Sequence, residues 1–215
     1  HLMANGAPKK VLTIVDMGSG KGYLTFALYD FLYRIKGLDV NITGIELRQE
    51  LVDFCNNKAD ICGFEKLQFI NQRIEDYEEK SIDVLIALHA CDTATDDALA
   101  KAISAQSDLI VCAPCCHKQV RQQVKGKVQE NPLLKYGIFQ ERHFEMVTDT
   151  IRALILEQNG YESKVFEFVS NEHTRKNIML VGSKSENADH KLAAKKIAAL
   201  KKEYHIDFQY LEQLT

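Results

Sequence analysis

The stretch Val11-Leu12-Thr13-Ile14-Val15-Asp16-Met17-Gly18-Ser19-Gly20-Lys21-Gly22 decides the fold. Its apolar run, closed by an acid, reads as a buried strand, and its alternate glycines as a tight turn. Tyr23 to Lys36 then reads as an amphipathic helix stopped by Gly37. Glycine adopts the backbone such a turn needs and lets a ligand approach the main chain. A second apolar run, Asn41-Ile42-Thr43-Gly44-Ile45-Glu46-Leu47, places Glu46 24 residues after Gly22. An acid at that point can accept hydrogen bonds from both hydroxyls of a ribose. Together the two runs point to a nucleoside-containing ligand.

The dinucleotide pattern is G-x-G-x-x-G, whose last glycine lets helix and strand pack beside a pyrophosphate. Here Tyr23 stands at that position and the third glycine comes one residue early. Asp16-x-Gly18-x-Gly20-x-Gly22 instead resembles the first motif of class I S-adenosylmethionine (SAM)-dependent methyltransferases. NAD is the next reading, and a glycine turn without ligand the plainest one.

The composition is that of an ordinary globular chain. With 46% hydrophobic and 27% charged residues, 215 residues suffice for one large domain, with or without appendages. No apolar run approaches the length of a membrane span and no signal peptide is visible. Six cysteines without a secretory signal read as free thiols in a reducing cytoplasm. The net charge of −3 gives no overall attraction to nucleic acid. Local charge differs: Lys118, Arg121, Lys125 and Lys127 fall in one segment, and Lys191, Lys195, Lys196, Lys201 and Lys202 in another. His1-Leu2-Met3 reads as vector-derived and is set aside.

Two periodicities alternate along the chain. Arg48 to Cys62 reads as a helix closed by Gly63, Leu67 to Asn71 as a strand, and Ser81 to Leu88 as a strand buried on both faces. Asp96 to Ser104 reads as a helix and Asp108 to Ala113 as a strand. Residues 117–142 break the rhythm and read as an insertion over the site, a candidate lid. Leu133, Leu134, Ile138 and Phe139 are its expected anchors to the body. A helix from Phe144 to Asn159 follows, then strands Glu162 to Val169 and Asn177 to Ser183, then a lysine-rich helix from Asp189 to Tyr204. This alternation predicts an α/β fold with a mainly parallel sheet and helices on both faces.

The methyltransferase resemblance covers roughly residues 11 to 184. It implies a Rossmann-like, seven-stranded sheet in order 3-2-1-4-5-7-6 with strand 7 antiparallel. It also implies a methyltransferase domain over 8–184 and a helical C-terminal extension over 185–215. Many members carry an N-terminal helix or domain before this point, so the chain is expected to be a piece of a longer protein. Carried over by motif position, Gly18, Ser19, Gly20 and Gly22 wrap the methionine end of SAM. Asp16 supports its amino group, Glu46 takes the ribose hydroxyls and Leu47 packs on the adenine. An acid near the adenine amino group is usual after strand 3; this chain has Arg73 there, so Ile74 or Glu75 is expected to serve. Leu88 and His89 close the site.

Leu88-His89-Ala90-Cys91-Asp92-Thr93-Ala94-Thr95-Asp96 and Ala113-Pro114-Cys115-Cys116-His117-Lys118 resemble a subgroup that includes a tRNA ribose 2′-O-methyltransferase and methyltransferase-like proteins of unassigned substrate. Glu172-His173-Thr174-Arg175-Lys176-Asn177 looks like a further mark of that subgroup. The expected activity is SAM-dependent methyl transfer, with RNA, and tRNA in particular, as acceptor. A small-molecule or protein acceptor is the enzyme alternative, and a non-catalytic SAM-binding scaffold the alternative of another class. A general base is needed only where the acceptor loses a proton, and His89, Asp92 and His117 are its candidates.

The cysteines admit three readings. Cys112-x2-Cys115 with His117 and His89 offers soft ligands for zinc, yet strand alternation turns Cys112 toward the core and no second CxxC pair supports it. Cys115 beside Pro114 resembles the nucleophile of RNA cytosine-5 methyltransferases, with His117 or Lys118 to favour a thiolate. The preferred reading is packing: Cys55 and Cys62 on a helix, Cys91 and Cys115 lining a tight pocket, and no metal.

Overall fold

The computed structural model describes residues 11–78, 81–88, 90–126, 131–170 and 176–215. Its seven strands are β1 (Leu12–Met17), β2 (Val40–Glu46), β3 (Leu67–Asn71), β4 (Val84–Ala87), β5 (Leu109–Cys112), β6 (Tyr161–Glu167) and β7 (Ile178–Lys184). They form one sheet in the order β3-β2-β1-β4-β5-β7-β6. The first five strands pair in parallel, and β7 runs antiparallel to both β5 and β6. The expected order therefore stands, reversal between β1 and β4 included.

Strand alternation explains why both faces carry helices. Leu12 and Ile14 of β1, Val40 and Ile42 of β2, and Val84 and Ile86 of β4 point to one face. There they meet α1 (Tyr23–Tyr29) and α2 (Gln49–Cys62) through Tyr29, Val52, Cys55 and Ala59. The intervening residues Val15, Met17, Ile45, Leu85, Ala87, Ile110 and Cys112 point to the other face. They are covered by α3 (Thr93–Ser104), α5 (Gly137–Gln158) and α6 (His190–Tyr204). A side-chain period of two thus builds two cores from near-continuous apolar strands.

Several element limits differ from the expectation. The first helix is α-helical only to Tyr29 and continues as a π-helical turn over Asp30–Ile35. Helix α3 starts at Thr93, ahead of the expected Asp96, because Asp92 turns the chain with φ 53°. The described residues of 117–142 are mostly helical. They hold α4 (Lys118–Gln123), a 3-10 turn (Pro132–Lys135) and the first turns of α5, which begins at Gly137 and not at Phe144. Val120 and Val124 are fully buried and belong to the core, as does Leu134. The other expected anchors, Leu133, Ile138 and Phe139, are exposed. Of the four cations assigned to this segment, Arg121 pairs with Glu141 at 3.0 Å, and Lys127 lies outside the described residues.

Residues beyond 184 join the same core. Ile197, Ile206 and Leu211 are buried with the α3/α5 side, and the Gln123 side chain bonds the backbone at Asp207 and Phe208. The α6 lysines are mostly exposed, as a solvated helix face should be, while Lys201 pairs with Glu212 at 2.8 Å. Among the described residues no helix is long and apolar enough to cross a membrane.

Candidate active site

The strand order reverses between β1 and β4, and the ends of β1, β2, β3 and β4 open there onto a cavity of about 550 Å³. Gly18, Gly20, Glu46, Leu47, Arg48, Arg73, Ile74, Glu75 and Cys91 contribute to its wall. The backbone turn after β1 is held onto β2, since Gly18 and Ser19 both donate to the Ile45 carbonyl, at 2.9 and 3.0 Å. Gly22 has φ 70°, and a Cβ there would sit 2.9 Å from the Phe69 ring, so glycine is required twice over. At Gly20, φ 58°, a Cβ would meet nothing within 4 Å. A side chain there would strain this left-handed backbone and take space from the cavity.

Glu46 is the electrostatic centre of this cavity. Its Oε2 accepts from the Gly20 N–H at 3.0 Å, and its Oε1 from the backbone N–H and Nε of Arg48 at 3.0 and 2.9 Å. Burial works to raise the Glu46 pKa, but the hydrogen bonds and charge of Arg48, with Gly20, outweigh it and hold it below the ordinary value. The carboxylate is therefore ionised and accepts only. Arg48 itself is largely exposed, so it can swing away without losing packing.

The remaining expected contacts divide by position. Asp16 is buried behind the turn, where its Oδ2 accepts from the Thr25 hydroxyl at 2.7 Å. Ser19 is buried as well, and its hydroxyl has no partner among the described residues. Arg73 and Glu75 pair with each other across the cavity rim. Leu88 packs toward the α1/α2 core, away from the cavity. His89 lies outside the described residues, as does most of the motif at 172–177.

A second cavity, about 850 Å³, lies beyond β5. Pro114, Cys115, His117, Met146, Asp149 and Lys176 line it. The two cavities meet at a pair of thiols, since Cys91 lines the first, Cys115 the second, and their Sγ atoms are 3.0 Å apart. A nucleoside-sized crevice at the switch point, an ionised acid at the end of β2 and an adjoining chamber make up the site.

Comparison with known proteins identifies the family and the fold. A family described as "Methyltransferase domain" matches residues 1–123, more than half of the chain. The chain belongs to this methyltransferase domain family. Its relatives include the glutathione S-transferase C-terminal domain-containing proteins of Xenopus laevis (25% identical over 195 residues, 80% of this chain and 31% of that protein) and Homo sapiens (23% over 193 residues, 79% and 29%). The chain spans about three-tenths of the length of these curated relatives. Similar solved folds include the CurJ carbon methyltransferase (14% identical, 86% of this chain and 51% of that chain, TM-score 0.54). An rRNA methylase from Streptococcus thermophilus is another (13% identical, 84% and 91%, TM-score 0.51).

In this methyltransferase domain a buried polar network, not evident from the sequence, fixes the loops after β4 and β5. Arg152 of α5 is 1% exposed. Its Nε and Nη2 donate to the Asp96 carboxylate at 2.7 and 3.1 Å, Nη2 also to the Asp92 carbonyl at 2.9 Å, and Nη1 to Asp149 at 3.2 Å. Asp149 Oδ1 also bonds His117 Nε2 at 2.8 Å, and Gln209 donates to Asp96 at 2.8 Å. Burial disfavours the Arg152 charge, but Asp96 and Asp149 more than offset it and its pKa is raised. His117 Nδ1 is buried with no hydrogen-bond partner among the described residues. Asp92, one of the expected bases, has Oδ1 on the N–H groups of Lys118 and Gln119 at 2.9 and 3.3 Å, which suits it to hold α4.

The cysteines sort differently from the expectation. Cys55 is buried beneath the glycine turn, whereas Cys62 is exposed. Burial, then the Cys91 and Cys116 thiols, push the Cys115 pKa up to about 12, which works against Cys115 as an attacking thiolate.

One titration is open to direct test. Burial, then Glu75 and Asp96, push the Asp97 pKa up to about 6 against the opposing pull of Tyr210 and Lys101. The unfolded carboxyl titrates near pH 4, so between about pH 4 and 6 the folded chain binds more protons and stability falls as pH rises. Asp97→Asn is expected to flatten that fall in urea midpoints measured across the window. An unchanged slope would remove Asp97 as its source.

Proposed function

We propose that this chain is a SAM-dependent methyltransferase that binds SAM in the first cavity and the methyl acceptor in the second. The observation that carries this reading is the contact of the two cavities at the ends of β4 and β5. The residues present fit SAM. Glu46 offers an ionised acceptor for ribose hydroxyls, Gly20 leaves its Cβ space open, and Ile74 and Leu47 give apolar surface for a purine. SAM supplies an already activated methyl group, so the protein's contribution is placement. Arg48 must release Glu46 when a ribose arrives, and its exposure allows this.

For an acceptor that loses a proton, His117 is the base we assign. Asp149 accepts from Nε2 and fixes the tautomer that leaves the Nδ1 lone pair free, and Arg152 Nη1 donates to the same Asp149 oxygen and holds it in place. RNA, tRNA in particular, is the acceptor we favour, with the exposed Lys118 and Lys125 available to phosphates. A specific observation favours a second reading: Glu141, Glu145, Asp149 and Glu167 line the second cavity against Arg142 and Lys176. That balance suits a neutral or cationic small molecule better than a phosphate.

Incubation with methyl-labelled SAM and separated RNA, protein and metabolite fractions tests the proposal. Label is expected in RNA, with binding that weakens steeply as salt rises. Label confined to metabolites would select the second reading. Cofactor binding with no transfer to any fraction would leave a scaffold.

A further inference from the structure

The wall between the two cavities contains a feature that neither cofactor nor acceptor requires. Cys91, from the loop after β4, and Cys115 and Cys116, from the loop after β5, bring their Sγ atoms within 4.8 Å of one another. The Cys91–Cys115 separation is 3.0 Å and the Cys115–Cys116 separation 3.7 Å. Thiolates on a tetrahedral zinc ion are about 3.8 Å apart, from a Zn–S bond of about 2.3 Å. All three residues are exposed or half-buried, so an ion can reach them.

Three soft ligands on two adjacent loops differ from the set that the sequence spacing suggested. Cys112 is fully buried in β5 and takes no part, and Cys91, 24 residues before Cys115, stands in its place. His117, also in the earlier set, is committed to Asp149 through Nε2. The outer surroundings suit thiolate ligands. Lys176 Nζ lies 3.7 Å from Cys116 Sγ and donates to the Cys115 carbonyl. An ammonium there offsets the excess negative charge of three thiolates on a divalent ion.

We propose that Cys91, Cys115 and Cys116 form a zinc site that ties the loop after β4 to the loop after β5. Each cysteine gives up its thiol proton to solvent and binds through sulfur, and water completes the tetrahedron. The ion braces the partition between the two cavities. The site does not depend on the identity of the cofactor or acceptor.

The test uses the full chain, purified under a phosphine reductant, loaded with Zn²⁺ and dialysed against a weak chelator. One zinc per chain is expected by elemental analysis, and Co²⁺ in its place should give the intense visible bands of a tetrahedral thiolate site. Cys91→Ser and Cys115→Ser should each abolish stoichiometric zinc, while Cys62→Ser, on the exposed face of α2, should keep it. Because a serine variant could fail to fold, the Co²⁺ spectrum of the parent stands as an independent readout. Reduced parent protein that retains no zinc and gives no thiolate–cobalt spectrum would overturn the site. So would a Cys91–Cys115 disulfide that persists under that reductant.

Discussion

Arg152→Ala is expected to cost the fold about 3–5 kcal/mol in urea denaturation, the scale for breaking a buried ion pair by removing one partner. Asp96 and Asp149 would then be buried carboxylates without their cation, and the Asp92 carbonyl would lose its donor. Since whole domains are stable by about 5–15 kcal/mol, the variant should be partly unfolded or heat-labile. The loss should spread beyond α5, because the same arginine holds the turn before α3 and, through Asp149, the loop carrying His117. A cost below about 1 kcal/mol, the value of an exposed pair, would mean that the network is wet and not buried.

His117→Ala is expected to slow methyl transfer by about 10²–10⁴-fold for an acceptor that must lose a proton, the usual contribution of a general base. Cofactor affinity should stay within a few-fold, since His117 lines only the second cavity. Asp149→Asn should act in the same direction by releasing the imidazole tautomer, with an added stability cost through Arg152. Added imidazole restoring part of the activity of His117→Ala would support a proton-accepting role. Turnover within threefold of the parent at equal thermal stability would remove His117 from the chemistry.

The sheet is legible because short apolar runs alternate with helical periods along the chain, while its strand order, with the reversal between β1 and β4, comes from the methyltransferase resemblance. Gly18, Gly20, Glu46, Leu47, Ile74 and Glu75 all line one cavity, while Asp16, Ser19, Gly22 and Leu88, drawn from the same motifs, do not. The polar network was hidden because Asp96, Asp149, Arg152 and Gln209 look like ordinary charges and amides, dispersed over more than a hundred positions. Nothing local marks Arg152 as buried, although its place on the Ile151/Leu154/Ile155 face of α5 is a hint. The early turns of α5 were missed because Gly137 and the polar Gln140–Arg142 stretch interrupt the apolar period. The Cys91/Cys115/Cys116 cluster is not legible from spacing, because Cys91 lies 24 residues before Cys115 and reaches it from the loop after another strand.

If Glu46 holds SAM in the first cavity, titration calorimetry of the purified chain will show it. S-adenosylhomocysteine is expected to bind one per chain in the micromolar range, with NAD binding far more weakly. Glu46→Ala is expected to weaken the S-adenosylhomocysteine affinity by about 1.5–3 kcal/mol, the cost of hydrogen bonds to a charged group. Preference for NAD, or an affinity unchanged by Glu46→Ala, would contradict the assignment.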